Sequence, residues 1–218
     1  MTDPQLVLAS ASPRRRDILN RLGIPHIAIA ADIDETPHQG ELAPAYVCRV
    51  AQEKAMHVMA RLALDRVVEP CFVLAADTSI FLEYKAHKNS MHDDEIPVCE
   101  LMGKPQDPAE CASFLHRLSG RTHRVGTAVT LGLVDTDPAI LETCMCQTEV
   151  RFRSLSEQER SDYVATGEGM DKAGGYAIQG LGAGLVDEIS GCYDNVVGLP
   201  SSRTIALLRR HGAISRWP

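Results

Sequence analysis

The sequence predicts an α/β fold, and two observations support that prediction. Segments with the pattern of strands alternate along the chain with segments of helical periodicity. The apolar run 71–76 is continuous and stands between Pro70 and Asp77, which is typical of a strand buried on both faces of a sheet. The length of 218 residues permits one large domain or two small lobes that share a sheet.

Apolar runs and capping signals predict where the elements begin and end. Ser12 and Asp107 stand as N-caps before prolines, and Ser156 with Glu159 has the form of a capping box. The polar segment 84–101 is interpreted as an irregular, exposed insertion. Strands are predicted at 6–9, 27–31, 71–76, 125–134, 145–152 and 184–189, and helices at 12–23, 45–64, 107–120, 156–164 and 202–211.

Composition and charge exclude several classes of protein. The net charge of −7 argues against a nucleic-acid partner, which requires a dominant basic surface, but permits a local basic pocket. Seven cysteines without a Cys-x-x-Cys pair favour reduced thiols over disulfides or structural zinc. No run is long enough for a transmembrane helix, and no signal peptide is recognisable. We therefore expect no membrane partner and a cytoplasmic location.

The segment 10–16 has the sequence SASPRRR and links a predicted strand to a predicted helix. A strand-to-helix turn presents backbone N–H groups to an anion, and Arg14 and Arg15 deepen such a site. Cations are otherwise disfavoured in the first turn of a helix. This segment therefore predicts a phosphate site. A solvated basic cluster is the alternative, and Arg16 fits a surface position.

Asp77 directly follows the buried run 71–76. Ligands of parallel α/β sheets collect beyond the carboxyl ends of the strands. A carboxylate there can hold a divalent metal or take a proton from water. An Asp that starts a turn is an equal alternative. Asp34 and Glu35 lie in the acidic loop 32–44, where they can supply a second carboxylate or simply be solvated.

Lysines at two positions are further candidates. Lys54 shares the helix face of Val47 and Val50, which is expected to point inward. The pattern alone favours a lysine whose amine reaches solvent from the edge of that face, and a lysine held near a phosphate is the functional alternative. Lys104 stands in the stiff turn Gly-Lys-Pro at 103–105.

The glycine-rich segment 171–180 is the last candidate. Glycine permits close approach of the backbone to a ligand. The amide of Gln179 both donates and accepts hydrogen bonds, which suits the recognition of a base edge. An ordinary irregular loop is the alternative.

Eight short segments occur in order along nearly the whole chain: ASASPRR at 9–15, EKA at 53–55, ADT at 76–78, GKP at 103–105, LSGRTH at 118–123, DKAG at 171–174, IQG at 178–180 and VGLP at 197–200. As an ordered set they resemble the Maf family of nucleotide pyrophosphatases. The resemblance implies one domain over 1–218, related in fold to the inosine triphosphate pyrophosphatases. In that fold an elongated mixed sheet is flanked by helices, and a cleft lies between two lobes. Mg²⁺ or Mn²⁺ and a homodimer are also implied.

The resemblance also assigns roles to individual residues. Asp77 matches the catalytic carboxylate, which accepts a proton from the attacking water, and Glu35 matches the carboxylate that shares in metal binding. Cations and a metal stabilise the charge that develops on the leaving pyrophosphate. The positions that line the phosphate site are matched by Ser10, Arg14, Arg15, Lys54 and Lys104.

Thr78 and Gln179 match positions linked to the choice of base. Gln179 before Gly180 resembles the branch that acts on dTTP, UTP and modified pyrimidine nucleotides, whereas glutamate is usual in the branch for 7-methyl-GTP. The resemblance therefore implies hydrolysis of dTTP or UTP at the α–β bond. A house-cleaning pyrophosphatase for 7-methyl-GTP, ITP or XTP is the alternative enzyme. A nucleotide-binding regulator of cell division and septum formation is the non-enzymatic alternative.

Overall fold

The computed structural model describes residues 5–64, 70–87, 95–135 and 138–216, and within them it confirms the α/β fold. The strands are β1 (Gln5–Ala9), β2 (Ile27–Ile29), β3 (Cys71–His87), β4 (Glu95–Met102), β5 (Thr122–Val134), β6 (Ala139–Phe152) and β7 (Val186–Ser190). The helices are α1 (Pro13–Arg21), α2 (Ala43–Leu64), α3 (Pro108–Leu118), α4 (Glu157–Ala165), α5 (Tyr193–Val197) and α6 (Ser201–Arg210), with 3₁₀ turns at Ala173–Gly175 and Leu181–Leu185. Every predicted strand and helix is present.

The strands form one mixed sheet in the order β2-β1-β3-β5-β6-β7, with β4 paired to β3. β1 lies parallel to both β2 and β3, and its register with β3 ends where Leu8 faces Leu74. β4 is antiparallel to β3, and β7 is antiparallel to β6. The parallel part of β3 is therefore short, and the strand continues well beyond it.

The chain forms two compact units. Unit 1 comprises Met1–Thr78, Thr127–Cys146 and Asp194–Pro218, and unit 2 comprises Ser79–Gly126 and Gln147–Tyr193. In unit 1, apolar side chains of β1, β3 and α2 pack into a buried cluster that includes Val7, Val58, Met59, Val73 and Ala75. Burial of each valine or methionine side chain in this cluster contributes roughly 1.5–3 kcal/mol to folding. The predicted cleft between two lobes stays a prediction.

The predicted N-cap positions are confirmed at all three helices, and a side-chain capping bond forms at two of them. Asp107 accepts a hydrogen bond from the backbone of Glu110 at 2.8 Å, and Ser156 with Glu159 forms a complete capping box. Ser12 stands at the N-cap of α1, but its side chain makes no capping bond. The backbone N–H of Ser12 instead donates to Oγ of Ser10 at 3.1 Å. Ser10 is one of the candidate site residues.

The interpretation of 84–101 as irregular is wrong for its described residues. β3 extends to His87 and pairs with β4, from Ile80 opposite Met102 to His87 opposite Glu95. An antiparallel ladder forms through backbone hydrogen bonds whatever the side chains are, so a polar hairpin lacks the apolar alternation that reveals other strands. Residues 88–94 lie outside the described residues, and the exposure of the whole segment stays a prediction.

The sequence analysis predicted reduced thiols and no transmembrane helix. None of the seven cysteines forms a disulfide. In the described parts of the chain, no helix is long and apolar enough to cross a membrane.

A buried histidine lies in the core of unit 2. His123 is 2% exposed, contacts the rings of Phe152 and Tyr176 edge-on, and shares a hydrogen bond of 2.7 Å with the Tyr176 hydroxyl. Its Nδ1 has no partner among the described residues. Burial lowers the pKa of His123 from 6.5 to about 3, so the folded protein keeps the ring uncharged.

We expect the stability of the protein to fall as the pH drops below about 6.5. Between that pH and the folded pKa, the unfolded chain protonates His123 but the folded chain does not. The expected loss is about 1.4 kcal/mol between pH 7.5 and pH 5.5. Urea unfolding at the two pH values measures it, and His123→Gln should remove this part of the loss.

His57→Gln is the matched control, because it replaces an exposed histidine of α2 by the same residue. An unchanged pH dependence in His123→Gln would contradict the explanation.

Candidate active site

Arg15 is a buried cation in the first turn of α1. Its Nε donates to the backbone oxygen of Gly198 at 2.8 Å, Nη1 donates to Oγ of Ser10 at 3.3 Å, and Nη2 donates to Oγ1 of Thr78 at 3.1 Å. These bonds join the turn after β1, strand β3 and the turn before α6. Gly198 has φ of +125°, a conformation that favours glycine.

The hydroxyl groups next to Arg15 form a directed chain of hydrogen bonds. Thr127 of β5 donates to the backbone oxygen of Asn195 at 2.9 Å, which uses its only hydroxyl proton. Thr78 lies 2.9 Å from the Thr127 hydroxyl and must therefore donate to it. The Thr78 oxygen then accepts from Arg15. No local pattern in the sequence marks Thr127, because this contact depends on strand pairing.

The electrostatics of Arg15 connect it to two carboxylates. Burial lowers the pKa of the Arg15 guanidinium, and the charge of Asp77 opposes that shift. Arg14 lowers the pKa further and Glu35 raises it. Asp77 and Glu35 therefore act on the same buried cation, and Arg14 adds positive charge beside it.

Lys54 bridges the two carboxylates. Its Nζ lies 2.8 Å from Oδ1 of Asp77 and 2.8 Å from Oε1 of Glu35. The Lys54 and Asp77 side chains are 9% and 8% exposed, whereas Glu35 is 37% exposed. Because both oxygens lie 2.8 Å from the same Nζ atom, Oδ1 of Asp77 and Oε1 of Glu35 are separated by at most twice that distance. Lys54 is thus held inward, and the alternative of an amine that reaches solvent is wrong.

Helix α2 and strand β3 supply this bridge. Val47, Val50 and Ala51 of α2 are completely buried, so their face points inward and carries Lys54 with it. Asp77 was predicted at the end of a strand, but it lies within β3. It comes three residues after Leu74, the last residue of β3 paired with β1, so Asp77 still stands beyond the part of β3 that pairs in parallel with β1.

A clamp formed by Tyr46 and Arg49 holds the acidic loop. Tyr46 donates its hydroxyl proton to the backbone oxygen of Glu35 at 2.9 Å, and burial raises the pKa of that phenol. Arg49 binds both oxygens of Glu41 at 2.7 and 2.8 Å and lies 5.5 Å from the centre of the Tyr46 ring. Sequence reasoning missed this clamp, which fixes the segment that carries Glu35.

A surface cavity of about 530 Å³ lies beside the clamp. Of the candidate residues, only Asp34 is among the described residues that line it, so we place the site at the buried charges instead. The cavity is lined by Ile33, Asp34, Thr36, His38, Arg49 and Glu53.

The candidate residues thus separate into two groups. Ser10, Arg14, Arg15, Glu35, Lys54, Asp77 and Thr78 belong to unit 1. Arg14 is half-buried, and its guanidinium has no hydrogen-bond partner among the described residues, whereas each of the three guanidinium nitrogens of Arg15 donates a hydrogen bond. Lys104 and Gln179 belong to unit 2, where both are exposed.

Asp77 and Glu35 are suitable ligands for a divalent cation. Mg²⁺ is usually held by one or two carboxylates, with water and substrate phosphates in the remaining positions. Two carboxylate oxygens gathered at one ammonium group fit that requirement. Within the described residues, no group of three or more His, Cys, Asp or Glu side chains is arranged to hold a metal ion.

Comparison with known proteins identifies the family. A family model described as Maf-like protein matches residues 5–211. The chain belongs to the Maf family. Proteins named dTTP/UTP pyrophosphatase are similar to this Maf chain: one from Myxococcus xanthus is 48% identical, covering 97% of this chain and 95% of its own length. Another, from Anaeromyxobacter sp., is 43% identical and covers 98% and 92%, respectively.

We expect Thr127→Val to destabilise this Maf protein by about 1–3 kcal/mol, because the half-buried Thr78 hydroxyl loses the acceptor it now uses. Valine has nearly the shape of threonine, so packing is kept. The free energy of unfolding in urea measures the effect. Thr127→Ser retains the hydroxyl and is the control; equal stability of the Val and Ser variants would contradict the hydrogen-bond chain.

Proposed function

We propose that the protein hydrolyses dTTP and UTP at the α–β phosphate bond, releasing the nucleoside monophosphate and pyrophosphate. The observation that carries this proposal is the bridge of Lys54 between Asp77 and Glu35, next to the buried Arg15. Such a cluster provides a base, a metal-binding pair and cations in one region. The names of relatives that are 40–48% identical support the choice of substrates.

Asp77 is the proposed general base. Its carboxylate accepts a proton from water while the water oxygen bonds to the α-phosphorus. The bond from that phosphorus to the bridging oxygen breaks, and the electron pair leaves with pyrophosphate. The hydrogen bond from Lys54 to Oδ1 fixes the orientation of the Asp77 carboxylate. Orientation of this kind lowers the entropic cost of reaching the transition state.

Charge stabilisation is the second part of the proposed mechanism. Asp77 and Glu35 would hold Mg²⁺ or Mn²⁺, which when bound supplies positive charge to the phosphate oxygens. Arg14 has no competing partner among the described residues and is the guanidinium best placed to bind a phosphate. Arg15 instead orders the turn that contains Ser10.

The remaining roles are proposals that rest on the resemblance. Lys104 would contact phosphate, and Thr78 and Gln179 would influence the choice of base. The Thr78 hydroxyl is already hydrogen-bonded to Arg15 and Thr127, which supports an indirect contribution. The homodimer, the cytoplasmic location and the lack of a nucleic-acid partner stay predictions.

We expect pyrophosphate release from dTTP and UTP in the presence of Mg²⁺ or Mn²⁺ to exceed release from CTP, GTP, ITP and 7-methyl-GTP. Asp77→Asn should lower kcat for dTTP by about 10²–10⁴-fold, because it removes the base. The dissociation constant for dTTP, measured without divalent metal, should change little, since the amide has the shape of the carboxylate. Steady-state kinetics and equilibrium binding measure the two quantities.

Three outcomes would contradict this proposal. Faster turnover of ITP or 7-methyl-GTP would favour the house-cleaning enzyme. Nucleotide binding without any hydrolysis would favour the regulator. A wild-type kcat in Asp77→Asn would remove Asp77 from the role of base.

A further inference from the structure

One carboxylate holds the loop that carries Gln179. Glu168 lies just after α4, and its Oε1 accepts from the backbone N–H of Leu181 at 2.9 Å. Its Oε2 accepts from the backbone N–H of Gly182 at 2.8 Å and from the Tyr163 hydroxyl at 2.9 Å. Glu168 therefore accepts three hydrogen bonds at once. Two of the donors are backbone N–H groups that lie two and three residues after Gln179.

Tyr163 extends this contact to the other side of the loop. Its buried hydroxyl donates to Glu168 and accepts from the backbone N–H of Ala177 at 3.1 Å. Ala177 precedes Gln179 by two residues, and Leu181 follows it by two. Tyr163 and Glu168 thus fix both ends of the segment 177–182, and we call this pair the loop clamp.

The glycines of the segment are fitted around the loop clamp. Gly180 has φ of +86°, and a Cβ atom there would lie 2.2 Å from Oε1 of Glu168. A Cβ atom at Gly182 would lie 2.1 Å from the backbone oxygen of Ala177. A backbone atom cannot move aside easily, so a side chain at position 182 would disturb the loop. The loop therefore needs glycine at 180 and 182 to keep its contacts with the loop clamp.

The loop clamp leaves Gln179 exposed while the two residues before it are buried. Ala177 is 9% and Ile178 is 7% exposed, whereas the side chain of Gln179 faces solvent. Burial raises the pKa of Glu168, but the hydrogen bonds from Leu181, Gly182 and Tyr163 outweigh that effect and lower the pKa overall. The clamp thus uses the ionised, acceptor-only form of the carboxylate.

We propose that Glu168 is a positioning residue that acts through Gln179 to set the choice of base. This inference rests on the proposed hydrolysis of dTTP and UTP. A thymine or uracil edge combines carbonyl acceptors with an N–H donor, and the Gln179 amide matches both kinds of group only in a fixed orientation. The loop clamp provides that orientation by holding the backbone on both sides of Gln179.

Glu168→Gln tests the inference. Glutamine has one amide oxygen in place of two carboxylate oxygens, and its NH₂ group would face a backbone donor. We expect KM for dTTP to rise about tenfold with kcat nearly unchanged, because contacts to the base contribute to binding rather than to the reacting bond. The ratio of kcat/KM for dTTP to that for CTP should fall by a similar factor.

A double-mutant cycle with Gln179→Ala separates positioning from general destabilisation. If Glu168 acts through Gln179, the Glu168→Gln change should have little further effect on KM or on the dTTP:CTP ratio in the Gln179→Ala background. Glu157→Gln, an exposed change in α4, is the matched control and should behave as wild type. Additive effects of the two changes would overturn the inference.

The remaining outcomes distinguish this inference from the proposed function. If the wild-type protein turns over dTTP and UTP but Glu168→Gln leaves KM and the ratio unchanged, the inference alone fails. If the wild-type protein hydrolyses neither nucleotide, the proposed function fails and takes the inference with it. Should Glu168→Gln not fold, Tyr163→Phe removes the clamp hydroxyl while keeping the ring, and the same rise in KM is expected.

Discussion

The bridge of Lys54 between Asp77 and Glu35 is the interaction on which the candidate site depends. A buried ammonium group and a buried carboxylate are each costly alone, and removal of one partner from such a pair typically costs about 3–5 kcal/mol. Their formal charges leave one negative charge in the bridge, which suits a divalent cation. The same three side chains therefore explain both why the charges are tolerated and why a metal would bind there.

The surrounding structure keeps this bridge in place. Consecutive residues of a strand point to opposite sides, so Asp77 and Thr78 of β3 serve two different helices. Asp77 binds Lys54 of α2, and Thr78 binds Arg15 of α1. Tyr46 fixes the backbone of Glu35 from a second position on α2. Two adjacent residues of β3 thus connect Arg15, in the first turn of α1, to the bridge of Lys54 with Asp77 and Glu35.

Much of the fold, but less of the site, was predictable from the sequence. Apolar runs located the core strands, and capping residues located α3 and α4, because both signals are local. The hairpin of β3 and β4 was missed since its polar strands carry no apolar alternation. For Lys54 the helix face predicted the direction of the side chain, but the choice between solvent and a buried partner depends on Asp77, which is distant in sequence. Thr127 lacked any local signal for the same reason.

The most direct test of the proposed metal site is the binding of Mn²⁺ followed by electron paramagnetic resonance. Wild type, Asp77→Asn and Glu35→Gln are compared with Asp34→Asn, whose side chain lies in the same loop and accepts a hydrogen bond from the backbone of Thr36. If Asp77 and Glu35 hold the metal, Mn²⁺ binds more weakly to Asp77→Asn and Glu35→Gln and with wild-type affinity to Asp34→Asn. Equal affinity in all four proteins would contradict the proposed metal site.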